Sequence, residues 1–475
     1  MNYKLSSLVA AAVAGSFMLG FGANAMADST DDIVNALIAK GVLTEEEGAL
    51  LQKGRAGEKE AAEKKKASSV SAKYKDGIVL ESGDGKNSLQ VNGRVHFDSR
   101  TYDYSNDNDT SGAASAVGAD TFDVRRARLG AKVKFGDYYS GEVVLNGVGS
   151  APTLDVGYVN VAWWKPVQFR VGLFKMPFSL EQLTSSNNID FIERSFVDAY
   201  IPAKEIGAMV HGEPKKGLTY ALAFSNGSNA AETDNRVDNK DVIGRVTANF
   251  AELMDNKDMV LHAGLAYAKG DIPKGAGLGG NRSTEARGAT FFTAPSAPGT
   301  LDNTDKAIDR ERKGAEAVVA YGPVKLQGQY LTTSYDYDTT LSNVDVDVKT
   351  WYAEALWTIT GESHADRYKS GAFGALKPKN DFNPETFSGG AWEIGARYSK
   401  FDAGDFKSAG LGTGFAEAKA FTAGVKFVAN AHVRFMLDYV KTDFESPIGA
   451  TTGITVNGDS EDSEKAILFR TQFAF

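Results

Sequence analysis

Cationic side chains recur at every second position of the segment 121–135. One parity carries Val124, Arg126, Arg128, Gly130, Lys132 and Lys134, and the other carries Ala127, Leu129, Ala131, Val133 and Phe135. If this segment is a β-strand, successive side chains point to opposite faces, so four cations form one stripe. In a medium of low effective dielectric, such a stripe attracts anions and repels cations. Arginine also offers a planar fork of donors that suits oxyanions such as phosphate.

Further charges fall on the polar faces of other alternating segments. The cations are Arg94, Arg170, Arg245, Arg397, Arg434 and Arg470, and the acids are Asp98, Glu142, Asp241, Glu316, Glu354, Glu393 and Asp438. Two interpretations stay open, because the cations could form an anion path or could simply pair with the acids. The first half of the chain has the clearer cationic excess. There we predict a basic ladder of Arg94, Lys132, Lys134 and Arg170.

A long loop at 178–204 combines hydroxyl groups with an arginine. It contains the paired Ser185 and Ser186 and, further on, Arg194. It also contains apolar residues that an external loop would not need, namely Leu183, Ile189, Phe191, Ile192 and Phe196. We therefore predict that the loop packs inside the protein, where serine hydroxyls and Arg194 could replace the water around a passing anion.

From Leu89 onward, apolar residues recur at every second position, which indicates β-strands. We therefore expect strands to position these side chains. In a soluble sandwich the polar face is the outer one. Here the charged face would line a lumen and the apolar face would meet lipid. Most alternating segments reach the ~9–11 residues of a tilted membrane-spanning strand. We count about sixteen, at 89–100, 121–135, 137–148, 153–165, 166–174, 205–213, 217–225, 240–250, 259–270, 312–321, 323–335, 348–360, 390–401, 416–428, 431–442 and 463–475.

The connections between these segments alternate in length. Tight turns fall at 136–137, 165–166, 214–217 and 322–323, and longer loops at 101–120, 178–204, 226–239 and 271–311. This pattern is typical of outer-membrane barrels. Two connections depart from it: 149–152 is short, and 361–389 is long, so it hides a strand or folds back into the pore. The predicted fold is an all-β transmembrane protein, a 16-stranded antiparallel outer-membrane β-barrel with a short N-terminal helical periplasmic segment.

Three regions are predicted along the chain. Residues 1–27 read as a secretory signal peptide, with Lys4, a short apolar core and an A-x-A site that ends at Ala27. Residues 28–70 read as two short helices and a linker, separated at Gly41, with Thr44 and Glu47 as a capping box. The charged run 58–66 is a solvated linker or a short coiled coil. Residues 71–475 form the barrel.

Composition excludes several function classes. The chain of 475 residues lacks cysteine, which removes disulfides and thiolate metal sites, and its formal net charge of −9 argues against nucleic acid as a partner. The histidines have no metal-ligand spacing and no G-x-S-x-G motif occurs, so we predict neither an enzyme nor a cofactor. The histidines are His96, His211, His262, His364 and His432. A general porin without anion preference and an outer-membrane tether stay open as alternatives.

Several runs of sequence resemble the phosphate-selective porin O and P family. They are RVGLFKMPFSLEQLTSS at 170–186, FIERS at 191–195, RRARLG at 125–130, LWTITGE at 356–362, WEIGARY at 392–398 and KGVLTEEE at 40–47. The resemblance implies a homotrimer of sixteen-stranded, anion-selective barrels in the Gram-negative outer membrane. Two external loops and one periplasmic connection would fold into each lumen. Small anions, with phosphate as the candidate, would be the solutes, and outer-membrane lipid and lipopolysaccharide the surroundings.

The resemblance also assigns site residues. Ser185, Ser186 and Arg194 match the family's loop ligands for the anion, and Arg125 and Arg126 match its paired arginines on the wall. Strand parity favours Arg126 and Arg128 as the inward pair, which leaves Arg125 less secure. One position departs from the family pattern, since Gln182 stands where a lysine is expected. That loss of charge argues against tight phosphate selectivity but leaves anion preference.

Overall fold

The chain divides into two compact units, Met1–Ser69 and Val70–Phe475. The computed structural model describes residues 34–35, 37–50, 52–53, 69–104, 120–227, 239–273, 278, 280–295, 307–338, 343–451, 453–456 and 459–475. The predicted signal peptide and the charged run 58–66 lie outside these residues. None of the described helices is long and apolar enough to cross a membrane.

The first unit contains the predicted helical turns on either side of Gly41, whose φ is +69°. Thr44 and Glu47 form the capping box at the start of the second helical stretch. The Thr44 backbone N–H donates to Glu47 Oε2 at 2.9 Å, and the Glu47 N–H donates to Thr44 Oγ1 at 3.2 Å. The exchange satisfies two backbone donors that a helix start would otherwise leave open.

Within the described residues of the second unit, sixteen antiparallel strands close into a barrel. They are β1 (Ser88–Asp103), β2 (Thr121–Phe135), β3 (Tyr139–Asn146), β4 (Thr153–Trp164), β5 (Val167–Lys175), β6 (Lys204–Lys215), β7 (Leu218–Ser225), β8 (Asp241–Asn249), β9 (Met259–Ile272), β10 (Ile308–Tyr321), β11 (Val324–Asp338), β12 (Asn343–Thr358), β13 (Ala391–Asp402), β14 (Thr413–Val428), β15 (Val433–Pro447) and β16 (Ser463–Ala474). Each strand pairs with the next, and β16 pairs back with β1. The predicted strand number and order are confirmed.

The last residue completes the seam between the ends of the sheet. The Phe475 N–H donates to Gly93 O at 3.0 Å, and the Gly93 N–H donates to Phe475 O at 2.9 Å. A Cβ at Gly93 would lie 2.6 Å from the Phe475 ring, so a larger residue here would have to displace that ring. The preceding strand alternates as predicted, because Arg470 is fully buried in the lumen whereas Phe473 is 48% exposed on the outer face.

The long connection between β12 and β13 folds back into the barrel. Its two short strands, Tyr368–Lys369 and Ala372–Phe373, pair with each other and add nothing to the barrel wall. His364, Arg367 and Phe373 of this segment are buried. Of the two alternatives left open for 361–389, the fold-back is therefore the correct one. A hairpin of Val70–Tyr74 and Ile78–Ser82 extends the sheet beside β1 and was not predicted.

External loops fill part of the lumen with an aromatic core. Phe196, from the loop between β5 and β6, packs against Phe291 at 5.6 Å between ring centroids. Phe291 belongs to a hairpin of Asn281–Ser283 and Thr290–Thr293, and it packs on Phe401 of β13 at 5.1 Å. The described parts of both loops thus lie inside the barrel, where this apolar contact holds them.

Candidate functional site: a cationic constriction in the lumen

The loop 176–203, between β5 and β6, is fixed by hydrogen bonds to distant strands. The Ile192 N–H donates to Asp438 Oδ2 at 2.6 Å, and Arg470 Nη1 donates to Ile192 O at 2.7 Å. On the other side, the Leu180 N–H donates to Glu316 Oε2 at 2.8 Å. These bonds span the lumen, so they set the position of the loop relative to the whole wall.

Buried carboxylates of the loop complete this anchoring. Glu181 accepts from the Ser195 backbone N–H at 2.9 Å and from Ser195 Oγ at 2.7 Å. Burial raises the pKa of Glu181 to about 7, although the nearby Arg397 opposes the shift. Burial would also raise the pKa of Glu193, but Arg125 and its neighbours hold it well below the usual range. Glu193 therefore stays ionised beside the arginines of the wall.

The tip of the loop reaches β1 inside the lumen. Arg94 Nη1 donates to Ser185 Oγ and to Ser186 Oγ, each at 3.2 Å. His96 is two residues further along β1 on the same face, and its Nε2 atom lies 3.0 Å from Asn187 Oδ1. The two predicted serines and the predicted ladder residue Arg94 thus come together, with the hydroxyl oxygens facing a guanidinium.

A β-bulge decides which arginines of β2 point inward. His96 pairs with Arg126 but the next residue, Phe97, pairs with Val124, so Arg125 is the extra residue. The bulge reverses the parity beyond it, which turns Val124 outward with 44% exposure and turns Arg125 inward. The prediction of an inward Val124 and a doubtful Arg125 was therefore wrong, because uninterrupted alternation was assumed.

Acids neutralise two of these arginines. Arg125 binds Glu193 through two nitrogens, at 2.7 and 3.2 Å, and Arg128 Nη2 lies 2.9 Å from Asp155 Oδ1. Arg126 is buried, with its Nη1 atom 3.5 Å from His96 Nδ1, and it forms no ion pair with any described carboxylate. The charges of Arg125 and Arg128 are thus partly neutralised by carboxylates, whereas that of Arg126 is not.

The remaining predicted residues are distributed along the lumen. Arg194 donates to the backbone oxygens of Glu181 and Thr184 at 3.1 and 3.4 Å, so it supports the loop from within. Arg170 stacks over the Tyr158 ring at 4.3 Å. Lys132 is half exposed and lies 3.8 Å from Glu142, and Lys134 is exposed near the end of β2. Arg170, Lys132 and Lys134 do not contact the serine pair.

Two lysines that sequence reasoning missed flank the loop. Lys175 ends β5 and Lys204 begins β6, and the two residues lie directly opposite each other in the strand pair. Arg94 and Arg128 are directly opposite each other in the same way. Like charges in such positions destabilise a sheet. The pairing of Lys175 with Lys204 depends on the length of the loop between them, which alternation within either strand does not reveal.

A water-accessible vestibule of about 1860 Å³ lies on one side of the constriction. Arg94, Arg128 and Ser185 line its inner end. Twelve lysine and arginine side chains line the whole vestibule against seven aspartate and glutamate side chains. Even with the C-terminal carboxylate of Phe475 included, positive groups are in excess. This contrasts with the net charge of −9 for the chain, so the excess of acidic residues lies outside the vestibule lining.

The folded-back segment is tied to β13 by a buried ion pair. Arg367 Nη2 lies 2.6 Å from Glu393 Oε2, and both side chains are buried. Replacing Arg367 by alanine should release the segment and raise single-channel conductance in planar bilayers. Replacing the exposed Lys369 by alanine removes a charge from the same segment without breaking an ion pair, and should change conductance less. Equal conductance changes in the two variants would contradict this role of Arg367.

The sequence and the fold are similar to those of known outer-membrane proteins. The profile of a family described as phosphate-selective porin O and P matches residues 89–475. Porin O of Pseudomonas aeruginosa is 26% identical over 433 residues, covering 85% of this chain and 92% of that protein. In-vitro folded OmpT, an outer membrane protein of Vibrio cholerae, is 12% identical, has a TM-score of 0.50, and covers 82% of this chain and 98% of its own. The OmpT variant without loop L8 gives a TM-score of 0.50 at 11% identity, covering 82% and 100%.

A closed barrel with an apolar outer face and a polar, narrowed lumen defines a porin of the outer membrane. The two solved structures support this fold. The family match extends over most of the chain, so the protein belongs to the phosphate-selective porin O and P family. The predicted family, fold and location as a multi-pass barrel in the Gram-negative outer membrane are confirmed.

Proposed function

We propose that this porin forms an anion-selective channel for phosphate or related small anions. The observation that carries the proposal is the charge around the loop tip. Arg94, Arg128, Lys175, Arg194 and Lys204 surround the tip. The described carboxylates that pair with these five cations are Asp155 and Asp198. An excess of positive charge in a narrow, low-dielectric passage attracts anions and raises the barrier for cations.

The vestibule supports the same direction of selectivity. Its excess of positive side chains would concentrate anions at the inner end, where Arg94 and Ser185 stand together. Within the constriction, hydroxyls and guanidinium nitrogens can replace part of the water shell of an oxyanion. We therefore propose Arg94, Arg128, Ser185, Ser186 and Arg194 as the groups closest to the passing anion.

Arg125 and Arg126 have a more distant part in this proposal. The bidentate pair with Glu193 cancels most of the charge of Arg125, and Arg126 is buried without an ion pair to a described carboxylate. We propose that Arg125 keeps Glu193 away from the solute path. Glu193 also accepts from Arg100 at 3.2 Å and lies 3.6 Å from Arg470 Nη2, so Arg125, Arg100 and Arg470 all pair with this carboxylate.

A general porin without anion preference is the alternative. Its support comes from the second half of the barrel, where the inward charges pair off. Arg397 lies 2.7 Å from Glu285, Lys426 lies 2.8 Å from Glu393, and Lys325 lies 2.6 Å from Asp190. These pairs leave little net charge for selectivity. The alternative differs from the proposal in predicting similar permeabilities for potassium and chloride.

The serine pair provides the test for phosphate. Replacing Ser185 and Ser186 together by alanine removes two hydroxyls that face Arg94. Since hydrogen bonds to charged groups contribute about 1.5–3 kcal/mol each, phosphate block of the chloride current should weaken at least roughly tenfold. The matched control is Ser370→Ala, which removes a vestibule hydroxyl away from the tip. Unchanged block in the double variant would refute the assignment of the serines.

The phosphate part of the proposal has its own criterion. Inorganic phosphate at millimolar concentration should block the chloride current of the wild-type channel. Absence of block would leave a general anion channel.

We further propose that the protein assembles as a homotrimer surrounded by outer-membrane lipid and lipopolysaccharide, as the resemblance to the family implies. Size-exclusion chromatography with light scattering of the detergent-solubilised protein would test the trimer.

A further inference from the structure

The ammonium group of Lys175 occupies an unusual position at the base of the loop. It donates to the backbone oxygen of Gln182, and it lies 3.4 Å from Leu183 O and 3.0 Å from Thr184 O. These carbonyls belong to the end of the short helix Leu180–Leu183 and to the residue after it. A helix end leaves such carbonyls without partners, and a lysine is well suited to satisfy them.

The residues that follow these carbonyls are Ser185 and Ser186. Lys175 therefore holds the backbone that aims both hydroxyls at Arg94. Lys175 is the last residue of β5 and therefore belongs to the barrel wall. Directly after it, the Met176 N–H donates to Ala203 O at 2.9 Å and joins the two ends of the loop. A rigid strand end is thus joined to the tip of the loop through one side chain.

Lys175 contacts three backbone oxygens, which favour its ammonium form, and it forms no ion pair with a described carboxylate. Burial and the nearby cations Arg194, Lys204 and Arg94 oppose a charge at this position, so the carbonyl oxygens have to outweigh them. The cross-strand partner of Lys175, Lys204, binds Asp155, which Arg128 also binds. The fold thus retains two opposed lysines at a cost to the stability of the sheet. Carbonyl oxygens screen an ammonium group less than a carboxylate does, so its positive potential extends to the neighbouring hydroxyls.

We propose that Lys175 is a positioning and selectivity-determining residue of the constriction. It orders the Gln182–Thr184 backbone beneath the serine pair and supplies positive potential where Gln182 supplies none. This inference deepens the anion channel proposed above and rests on it. Lys175 acts through the loop and through its field, and it does not need to touch the anion.

The test uses the absence of cysteine from the chain. Asn188, in the vestibule lining near the tip, is replaced by cysteine as a reporter. Anionic and cationic methanethiosulfonate reagents of similar size then modify this thiol in proteoliposomes. The ratio of the two rates reports the local potential, and the sum of the rates reports access. Lys175→Met and Lys175→Arg are compared in this background, with Lys257→Met as the control that removes an exposed lysine of the turn between β8 and β9.

The expected result is that Lys175→Met lowers the anionic-to-cationic rate ratio several-fold and shifts the reversal potential in a salt gradient towards cations. Lys175→Arg should restore both values, and Lys257→Met should leave both close to the wild type. An unchanged ratio in Lys175→Met, or an equal fall of both rates without a change in their ratio, would overturn the proposal. Heat-modifiable migration on gels verifies that each variant is folded.

Failure of this inference can be distinguished from failure of the proposed function. A wild-type channel that prefers cations would refute the anion channel through its reversal potential alone. The thiosulfonate ratio would still measure the contribution of Lys175 to the potential at Asn188. Conversely, an anion-selective wild type with an unaltered Lys175→Met variant would refute the role of Lys175 and leave the proposed function in place.

Discussion

Replacing Arg94 by glutamate is expected to abolish most of the anion preference of the channel. The substitution changes the charge beside Ser185 and Ser186 by two units where the loop tip contacts β1 inside the lumen. At an effective dielectric of about 20, unit charges separated by about 4 Å interact by about 4 kcal/mol. A fraction of this energy is enough to lower the chloride-to-potassium permeability ratio by roughly tenfold, which corresponds to about 1.4 kcal/mol. Reversal potentials in planar bilayers measure the ratio.

The control variant makes the same change of charge at a position away from the loop tip. Lys132→Glu lies in the vestibule, where Lys132 is half exposed and only weakly paired with Glu142 at 3.8 Å. Its effect should be much smaller and should disappear at high salt, because exposed charges are screened within about 10 Å at 0.1 M ionic strength. Equal shifts from the two variants would mean that selectivity arises over the whole vestibule rather than at the loop tip.

Replacing Asp98 by alanine should cause the largest loss of stability. Asp98 is buried and binds Arg470 through two nitrogens at 2.6 and 2.7 Å, and Arg100 at 2.7 Å. Removing one partner of a buried ion pair costs about 3–5 kcal/mol, because it leaves an uncompensated buried charge. Arg470 also holds Ile192 O, so the loop should loosen as well. Guanidinium unfolding of the barrel in detergent, followed by circular dichroism, measures the change.

Glu142→Ala is the matched control for this stability prediction. Its carboxylate is partly exposed, accepts from the Tyr158 hydroxyl at 3.1 Å and lies 3.8 Å from Lys132. Ion pairs of this kind contribute about 0–1 kcal/mol. An unfolding midpoint of Asp98→Ala that is as high as that of Glu142→Ala would contradict a structural role for the Asp98 network.

The strands could be predicted from the sequence because each one has a lipid face and a lumen face. Membrane lipid forces side chains such as Phe469 and Phe473 outward, and the resulting alternation is visible without any tertiary information. The same reasoning predicted that the loop containing Phe191 and Phe196 packs inside. In both cases the signal is local, since apolar residues in a short window determine which side is buried.

Several details of the site could not be predicted, because they depend on how one strand pairs with another and not on the sequence of either strand alone. The bulge at Arg125 inserts one residue opposite β1, and no parity count within β2 can detect it. Lys175 and Lys204 are 29 positions apart and become neighbours only when the loop closes. Glu193, which neutralises Arg125, also comes from that loop. Charge counts by parity therefore overstated the free charge of β2 and missed the lysines at the base of the loop.

The reversal potential of the wild-type channel under a potassium chloride gradient is the most direct test of its anion selectivity. We expect a potential on the anion-selective side, arising from Arg94, Lys175 and their neighbours around the serine pair. We also expect this potential to move towards zero as ionic strength rises, because salt screens the positive lining. A potential on the cation-selective side at low salt would contradict anion selectivity.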